Sequence, residues 1–231
     1  AAGPQGPTGP AGAIVSGTSN QTLYYNGSEW TATSNLSNDG TTVSTDADII
    51  VNYLTVGHGS GSITTNTVVG MDALESNTTG YSNTAIGYKT LKDNSTGWEN
   101  TGLGRSALYE NTTGRNNVAI GDNALHDNTT GGYNTASGSQ ALYSNTTGEY
   151  NTASGYKAMY SNTSGRGNTA YGNIALRDNT TAYDNTAMGS SALASNTTGR
   201  RNTATGSDAL SGNTTGAYNT ASGMQAMSYN R

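Results

Sequence analysis

The chain has 231 residues, and its composition is unlike that of an ordinary globular domain. Hydrophobic residues make up only 32%, Phe is absent, and the chain contains 32 Gly, so it cannot gather one thick core. Charged residues are 11% with a net charge of −5, which argues against nucleic-acid binding. The absence of Cys excludes disulfides and thiolate metal sites, and no apolar stretch reaches the roughly 20 residues that span a bilayer. This low-charge composition favours an ordered polar repeat over disorder.

Residues 1–14 form the first predicted domain. Four Gly-X-Y triplets occupy 3–14, and all three Pro of the chain stand at X positions. Because only Gly fits at the axis of a collagen triple helix, this spacing predicts a collagen-like segment and therefore three chains. A Pro-rich extended linker is the alternative.

Residues 15–65 form a predicted β-rich connector. The Asn26-Gly27 dipeptide predicts a β-hairpin over 23–30, and a further strand is expected at 41–44. The run 49–56 is the most apolar of the chain and is expected to be one buried strand. The glycine-rich stretch 57–61 then provides a flexible or tight connection.

Residues 66–231 carry a 17-residue repeat, Asn-Thr-Ala-x-Gly-x-x-Ala-Leu-x-x-Asn-Thr-Thr-Gly-x-x, in ten copies without insertion or deletion, the last cut short. Positions in the repeat are counted from Asn66. Two Gly, two Asn and several Thr per copy disfavour a helical solenoid. A left-handed hexapeptide helix is the nearest alternative, but 17 is not a multiple of six. The repeat therefore predicts an all-β fold, a parallel β-roll or β-solenoid of ten coils.

Each coil is expected to hold two strands, Asn-Thr-Ala-x and x-Ala-Leu-x, and a turn at Asn-Thr-Thr-Gly. In that turn Asn tolerates left-handed geometry and Gly supplies φ > 0. Ala182 replaces this Gly in one coil, so its turn is expected to be strained. Leu or Met at position nine predicts an apolar ladder along the solenoid. Ala at positions three and eight predicts that each coil is thin, and Asn at positions one and twelve predicts two ladders of side-chain amides.

Position four changes character along the chain. It is apolar in the first four copies, from Val69 to Ile120, and then mixed from Ser137 onward. A core position would not vary in this way, so it is expected to face solvent or a partner chain, with the first four copies more tightly associated. One large buried side chain per coil stabilises the fold too little to offset the backbone ordering cost of about 1–2 kcal/mol per residue. This shortfall predicts that several chains associate, and we expect a homotrimer.

No catalytic, cofactor or metal site is predicted. His58 between glycines is interpreted as an exposed loop residue, with metal binding at a trimer axis as the alternative. His126 is interpreted as a solvated turn residue. Acidic residues fall at differing repeat positions and do not form the calcium-binding nonapeptide pattern. The sequence therefore indicates a protein that is not an enzyme.

Two sets of surface residues are candidate sites. Nine Asn-x-Ser/Thr triplets at the turns match the N-glycosylation pattern, with plain turn chemistry as the favoured explanation; their acceptors are Asn77, Asn94, Asn111, Asn128, Asn145, Asn162, Asn179, Asn196 and Asn213. Aromatic and Arg side chains at positions sixteen and seventeen are either a glycan- or protein-binding surface or, as the favoured explanation, a brace between coils. This second set is Tyr81, Trp98, Arg115, Tyr133, Tyr150, Tyr183, Arg200, Arg201 and Tyr218.

The order of these elements resembles a known group of proteins. Collagen-like triplets, the 21–30 segment, the 52–57 segment and Asn-Thr-Ala-x-Gly repeats together resemble the tail-fibre-like trimeric proteins of bacteria and phages. The segment 117–121, Asn-Val-Ala-Ile-Gly, resembles the head repeat of trimeric autotransporter adhesins, a left-handed parallel β-roll. The adhesin heads have a shorter repeat. Fibres of this kind often end in an intramolecular chaperone domain, whereas this sequence stops in mid-repeat at Arg231, which suggests truncation or processing.

The resemblance implies a trimeric fibre at a cell or virion surface. We therefore expect an extracellular structural shaft or filament, in which trimers join end to end or stand alone. The alternative is a receptor-binding module of an adhesin or tail fibre that grips a cell-surface glycan or protein. No nucleic acid partner and no membrane insertion are expected.

Overall fold

The computed structural model describes residues 54–229 and, before them, five short strands. The chain divides into two units, Ala1–Ala47 and Asp48–Arg231. The predicted collagen-like segment 1–14, the Asn26-Gly27 turn and the last two residues lie outside the described residues.

The first unit contains two short antiparallel strand pairs. Strand β1 (Thr22–Tyr25) pairs with β2 (Trp30–Thr33), and β3 (Ser37–Asn38) pairs with β4 (Val43–Ser44). A hairpin in this region and a strand within 41–44 are thereby confirmed. The predicted two-residue connection at Asn26-Gly27 is wrong, because Tyr25 pairs with Trp30 and the second strand therefore begins where the predicted hairpin ends.

The second unit is built on one sheet of 12 strands in sequence order, from β5 to β16. Strand β6 pairs antiparallel with both β5 and β7, and every later pairing is parallel, with partners 17 residues apart. The predicted all-β parallel β-solenoid is confirmed, with ten parallel strands that define about nine coils. The strands are β5 (Ile49–Val51), β6 (Leu54–Gly57), β7 (Thr67–Gly70), β8 (Thr84–Ile86), β9 (Thr101–Leu103), β10 (Val118–Ile120), β11 (Thr135–Ser137), β12 (Thr152–Ser154), β13 (Thr169–Tyr171), β14 (Thr186–Met188), β15 (Thr203–Thr205) and β16 (Thr220–Ser222).

The expectation of one buried strand at 49–56 is wrong. This run forms the two strands β5 and β6, and Leu54 and Val56 are 42% and 40% exposed. Because β6 pairs with β7, the sheet begins well before Asn66, and the observed boundary lies between Ala47 and Asp48. A short 3-10 helix, Ser60–Ser62, and a 2.8 Å contact from His58 Nδ1 to the Asn66 carbonyl oxygen tighten the connection between β6 and β7.

The core of each coil consists of the residues that the repeat predicts. In the coil that begins at Asn117, Ala119, Ala124 and Leu125 are all fully buried. The same three positions stack from coil to coil as one continuous apolar cluster. A thin core of small residues therefore runs the length of the solenoid, and the predicted Leu/Met ladder is confirmed.

The prediction of a second strand at x-Ala-Leu-x is wrong. Positions seven and nine adopt left-handed backbone conformations, as at Lys89 (φ 57°) and Leu91 (φ 53°). As a result, N–H groups two residues apart point to opposite neighbouring coils. Lys89 N donates to Met71 O in the preceding coil, and Leu91 N donates to Ala107 O in the following coil, both at 2.9 Å. These inter-coil bonds offset the cost of about 1–2 kcal/mol for a left-handed residue other than Gly.

Two ladders of buried Asn side chains meet at one carbonyl group in each coil. Asn117 Nδ2 and Asn128 Nδ2 donate to the Gly131 carbonyl oxygen at 2.8 and 3.0 Å. Each ladder also continues along the solenoid, because Asn128 Nδ2 donates to Asn111 Oδ1 at 2.7 Å and Asn117 Oδ1 accepts from Asn134 N at 3.0 Å. The predicted amide ladders are confirmed, and among the described residues no buried side-chain polar atom lacks a hydrogen-bond partner.

The glycine at position fifteen is required for space, and the expectation that it supplies φ > 0 is wrong. None of these glycines lies in the left-handed region. A Cβ atom on Gly131 would instead collide with Asn128 Oδ1 and would lie 2.5 Å from the Gly148 carbonyl oxygen. Where Ala182 replaces this glycine, Asn179 Nδ2 lies 3.3 Å from the carbonyl oxygen, whereas the equivalent distances elsewhere are 2.8 to 3.1 Å. The longer bond agrees with the strain expected at that turn.

A pair of departures from the repeat provides a test of the packing. Thr90 stands where other coils have Ala, and Gly102 stands opposite it, because a Cβ atom on Gly102 would collide with Thr90 Cγ2. We predict that Gly102→Ala alone destabilises the protein by about 1–3 kcal/mol through overpacking. Adding Thr90→Ala recreates the Ala pair of the other coils and should remove the overpacking, which leaves only the loss of the Thr90 hydrogen bond.

Denaturant unfolding of the two single variants and the double variant measures this coupling. Thr90→Ala alone should cost about 1 kcal/mol, because Thr90 Oγ1 donates to the Gly104 carbonyl oxygen at 2.6 Å. Losses that simply add in the double variant would contradict the packing described.

Candidate association and recognition surfaces

An exposed apolar patch lies on the outer face of the sheet. Side chains alternate across a strand, so position four of each coil points away from the buried Ala at position three. Val69 is half-buried, whereas Ile86, Leu103 and Ile120 are 37%, 44% and 42% exposed. The expectation that position four faces outward is thus confirmed.

Strand β6 extends this patch toward the N-terminal end of the sheet. Val56 pairs with Val69, and Leu54 lies two residues before Val56 on the same strand. Paired residues share one face of a sheet, and so do residues two apart in a strand. The apolar patch therefore crosses five adjacent strands, β6 to β10; its members are Leu54, Val56, Val69, Ile86, Leu103 and Ile120.

The apolar patch ends at a definite place. Position four becomes Ser137 and Ser154 in the next two coils, and a bidentate ion pair between Arg105 and Asp122 stands beside its last two coils. The Arg105 Nε–Asp122 Oδ1 distance is 2.6 Å, and both side chains are largely exposed. Further along, Tyr171 and Met188 are exposed apolar residues on the same face, at 47% and 46%.

The predicted recognition residues form an aromatic ridge in two runs. In the first, the rings of Tyr81 and Trp98 stack at 5.6 Å and those of Tyr133 and Tyr150 at 5.0 Å. The Arg115 guanidinium lies between the two stacked pairs, 5.8 Å from the Trp98 ring and 5.5 Å from the Tyr133 ring. The structure thus brings these five side chains together along one edge of the solenoid.

The second run of the aromatic ridge is richer in charge. Tyr183 and Tyr218 stand two coils apart, and Arg200 and Arg201 lie between them, 5.6 to 5.9 Å from the two ring centres. Arg201 also donates to the Tyr218 hydroxyl at 2.9 Å and lies 3.5 Å from an Asp184 carboxylate oxygen.

The geometry of the aromatic ridge limits what it can bind. The stacked ring planes are within 5° of parallel, so within each pair one face of each ring is covered by its neighbour. Ring faces are the surfaces that pack against sugars or cations, whereas edges and hydroxyl groups form hydrogen bonds. The ridge therefore presents edges, hydroxyls and Arg cations along the stacked pairs, while Tyr150 and Tyr218, at 59% and 62% exposed, leave further ring surface in solvent.

A second stacked group was not predicted from the sequence. The tyrosine–histidine column comprises Tyr109, His126, Tyr143 and Tyr160 at position ten, with ring centres 5.0 to 5.2 Å apart. His126 lies in a turn as interpreted, but the interpretation that it is solvated is wrong, because its side chain is only 19% exposed. The signal was present in the sequence as aromatic residues in consecutive copies at one repeat position.

His126 also lies among carboxylates. Its Nδ1 is 2.6 Å from Asp127 Oδ1, and potential ligand atoms of Glu110, His126 and Asp127 lie within 4.8 Å of one another. The short contact with Asp127 engages the imidazole without an ion, so we assign no metal to this group. Burial raises the pKa of the Tyr143 hydroxyl beside this group, and the negative charges of Asp127 and Glu110 raise it further.

The expectation that the nine candidate glycosylation residues lie on exposed turns is wrong. They are the position-twelve asparagines of the buried ladder, and their exposure is 0 to 3%. The Nδ2 atom that would carry a glycan donates instead to a carbonyl oxygen, as in Asn111, where the acceptor is Gly114 at 3.1 Å. The fold leaves no room for a glycan there, and we propose none.

The second run of the aromatic ridge gives a prediction about pKa. Hydrogen bonds from Arg200 and Arg201, together with the charge of Arg201, lower the pKa of the Tyr218 hydroxyl. We expect Tyr218 to ionise at lower pH than Tyr143, and the double variant Arg200→Gln, Arg201→Gln to raise the pKa of Tyr218 only. An NMR pH titration of ring-labelled tyrosines tests this order; ionisation of Tyr143 first would contradict the geometry.

Comparison with known proteins provides no identity for the chain. No family model, no curated protein and no solved structure matches it. Among the residues that the structure describes, no helix has the length and apolar character needed to cross a membrane. The function must therefore be inferred from the fold and these surfaces.

Proposed function

We propose that the chain is a structural, non-enzymatic segment of an extracellular fibre, in which the solenoid provides length and stiffness. The observation that carries this proposal is the unbroken ladder of contacts between equivalent segments of successive coils. Backbone, buried Asn, apolar core and surface rings all bond or pack to the next coil. Ten strands at about 4.8 Å per step extend roughly 45 Å.

A solenoid of this kind suits a load-bearing role. Each coil contacts only its neighbours, so bending or shearing the stack must break inter-coil hydrogen bonds, among them those of the buried Asn ladders. The Asn ladders are withdrawn from water, and a buried polar group left unpaired costs about 1–3 kcal/mol. Local opening of an inner coil is therefore expensive, which favours resistance to force and proteolysis.

Assembly as a homotrimer is part of the proposal. The Gly-X-Y triplets at 3–14 supply the stoichiometry, since a collagen triple helix needs three chains. The apolar patch supplies a surface for self-association. One chain has more cohesion than its single large side chain per coil provides, because the buried Asn network adds hydrogen bonds between coils. The proposed trimer therefore rests on the triplets and the apolar patch.

Receptor binding is the second candidate function. The aromatic ridge favours it, because exposed Tyr edges and the cations Arg200 and Arg201 fit a glycan or protein rich in hydroxyl or acidic groups. The covered ring faces favour the structural role instead. A glycan array distinguishes the two functions, because a shaft should bind nothing on it.

Mass and shape in solution test the proposed function. We expect light scattering after size exclusion to give three times the 23.6 kDa chain mass, and negative-stain electron microscopy to show uniform rods. Replacing Trp98 and Tyr133 by Ala should change the stability of the folded trimer but should not abolish binding to any glycan. A well-folded monomer, or glycan binding lost in that variant, would overturn the structural proposal.

A further inference from the structure

The apolar patch is too continuous to be incidental surface. Its six side chains lie on five adjacent strands, a length of about 20–25 Å at the spacing of a sheet. Five of the six are 37% to 44% exposed. Met71 and Tyr88, each 39% exposed at position six, extend it sideways. Contiguous apolar surface of this kind marks a site of association.

We infer that the apolar patch is the contact between copies of this chain, which meet in parallel and in register over β6 to β10 only. This inference rests on the proposed trimer and adds where its chains touch. The strands of the patch are inner strands of the sheet, hydrogen-bonded on both sides. A partner therefore docks on the face of the sheet rather than adding a strand to it.

The spacing of the apolar patch selects a second copy as its occupant. Its side chains repeat once per coil, and only a surface with the same repeat can place an apolar group against each of them. An identical patch provides that match, because an apolar side chain of one copy then meets an apolar side chain of the other in each coil. The parallel direction comes from the collagen-like triplets at the start of the chain, which align three chains in parallel.

The contact ends where the chemistry changes. Beyond Ile120 the same position carries Ser137 and Ser154, and a hydroxyl group that loses water without gaining a partner disfavours burial. Asp122, paired with Arg105, stands at the end of the patch and remains in water on one side. The later coils of each chain consequently lack a continuous apolar face through which they could contact the same coils of another copy.

Single cysteine variants test this extent, because the native chain contains no Cys. Leu103→Cys lies within the apolar patch, and Thr205→Cys is its control, since both residues are exposed and occupy position four of their coils. In a parallel trimer of the Leu103→Cys variant the three introduced thiols approach one another, so mild oxidation should link most chains into dimers. Chains carrying Thr205→Cys should remain mostly unlinked.

The mass of each reduced variant separates the possible failures. A trimer that links at Leu103→Cys and not at Thr205→Cys supports the inference. A trimer that links equally at both positions, or at neither, overturns the inference and leaves the proposed fibre intact. A folded monomer that links at neither position overturns the trimer itself. Circular dichroism with the spectrum of the native chain establishes that each variant is folded.

Discussion

The structure depends on one buried constraint, the convergence of two Asn side chains on a single carbonyl group in every coil. Asn117 and Asn128 both donate to Gly131, and each continues its own ladder to the neighbouring coil. This geometry favours Asn at positions one and twelve, because an amide donates from Nδ2 and accepts at Oδ1 along the ladder. It favours Gly at position fifteen, because a Cβ atom there crowds the neighbouring amide, and the one replacement, Ala182, accepts a longer hydrogen bond from Asn179. The Leu and Ala core can then be thin, since the polar network supplies part of the cohesion.

The repeat allowed much of the fold to be predicted from the sequence. Its 17-residue register, the inward Ala119 and Leu125, the amide ladders and the outward position four were all available from residue type and spacing. The Lys89–Leu91 segment was not, because an apolar residue such as Leu91 carries no local signal for a left-handed backbone. That conformation arises from bonds to two neighbouring coils. The exposure of Leu54 and Val56 was missed for a similar reason, since an apolar run does not reveal whether its side chains face the core or the outer surface of the sheet.

Stacking at a fixed interval also shapes the surface. Any residue type that recurs at one repeat position becomes its own neighbour, so rings cover rings and carboxylates meet carboxylates or cations. The aromatic ridge and the tyrosine–histidine column are products of this rule, and both brace adjacent coils. The structure brings the candidate recognition residues together in two runs, and the coil spacing explains why neighbouring rings of the first run stack on one another. The apolar patch differs, because its side chains project from the sheet and cover only part of one another.

The isosteric change Asn128→Asp, compared with Asn116→Asp at a half-buried surface position, tests the central role of the Asn network most directly. The measurement is the denaturant midpoint of unfolding at neutral pH. We predict that Asn128→Asp lowers stability by several kcal/mol, about 3–5, because it removes two donated hydrogen bonds and buries a charge, whereas Asn116→Asp changes it little. Burial would raise the folded-state pKa of the new carboxyl, so the loss should lessen as the pH falls toward its ordinary value of about 3.9. Equal midpoints for the two variants would contradict the account.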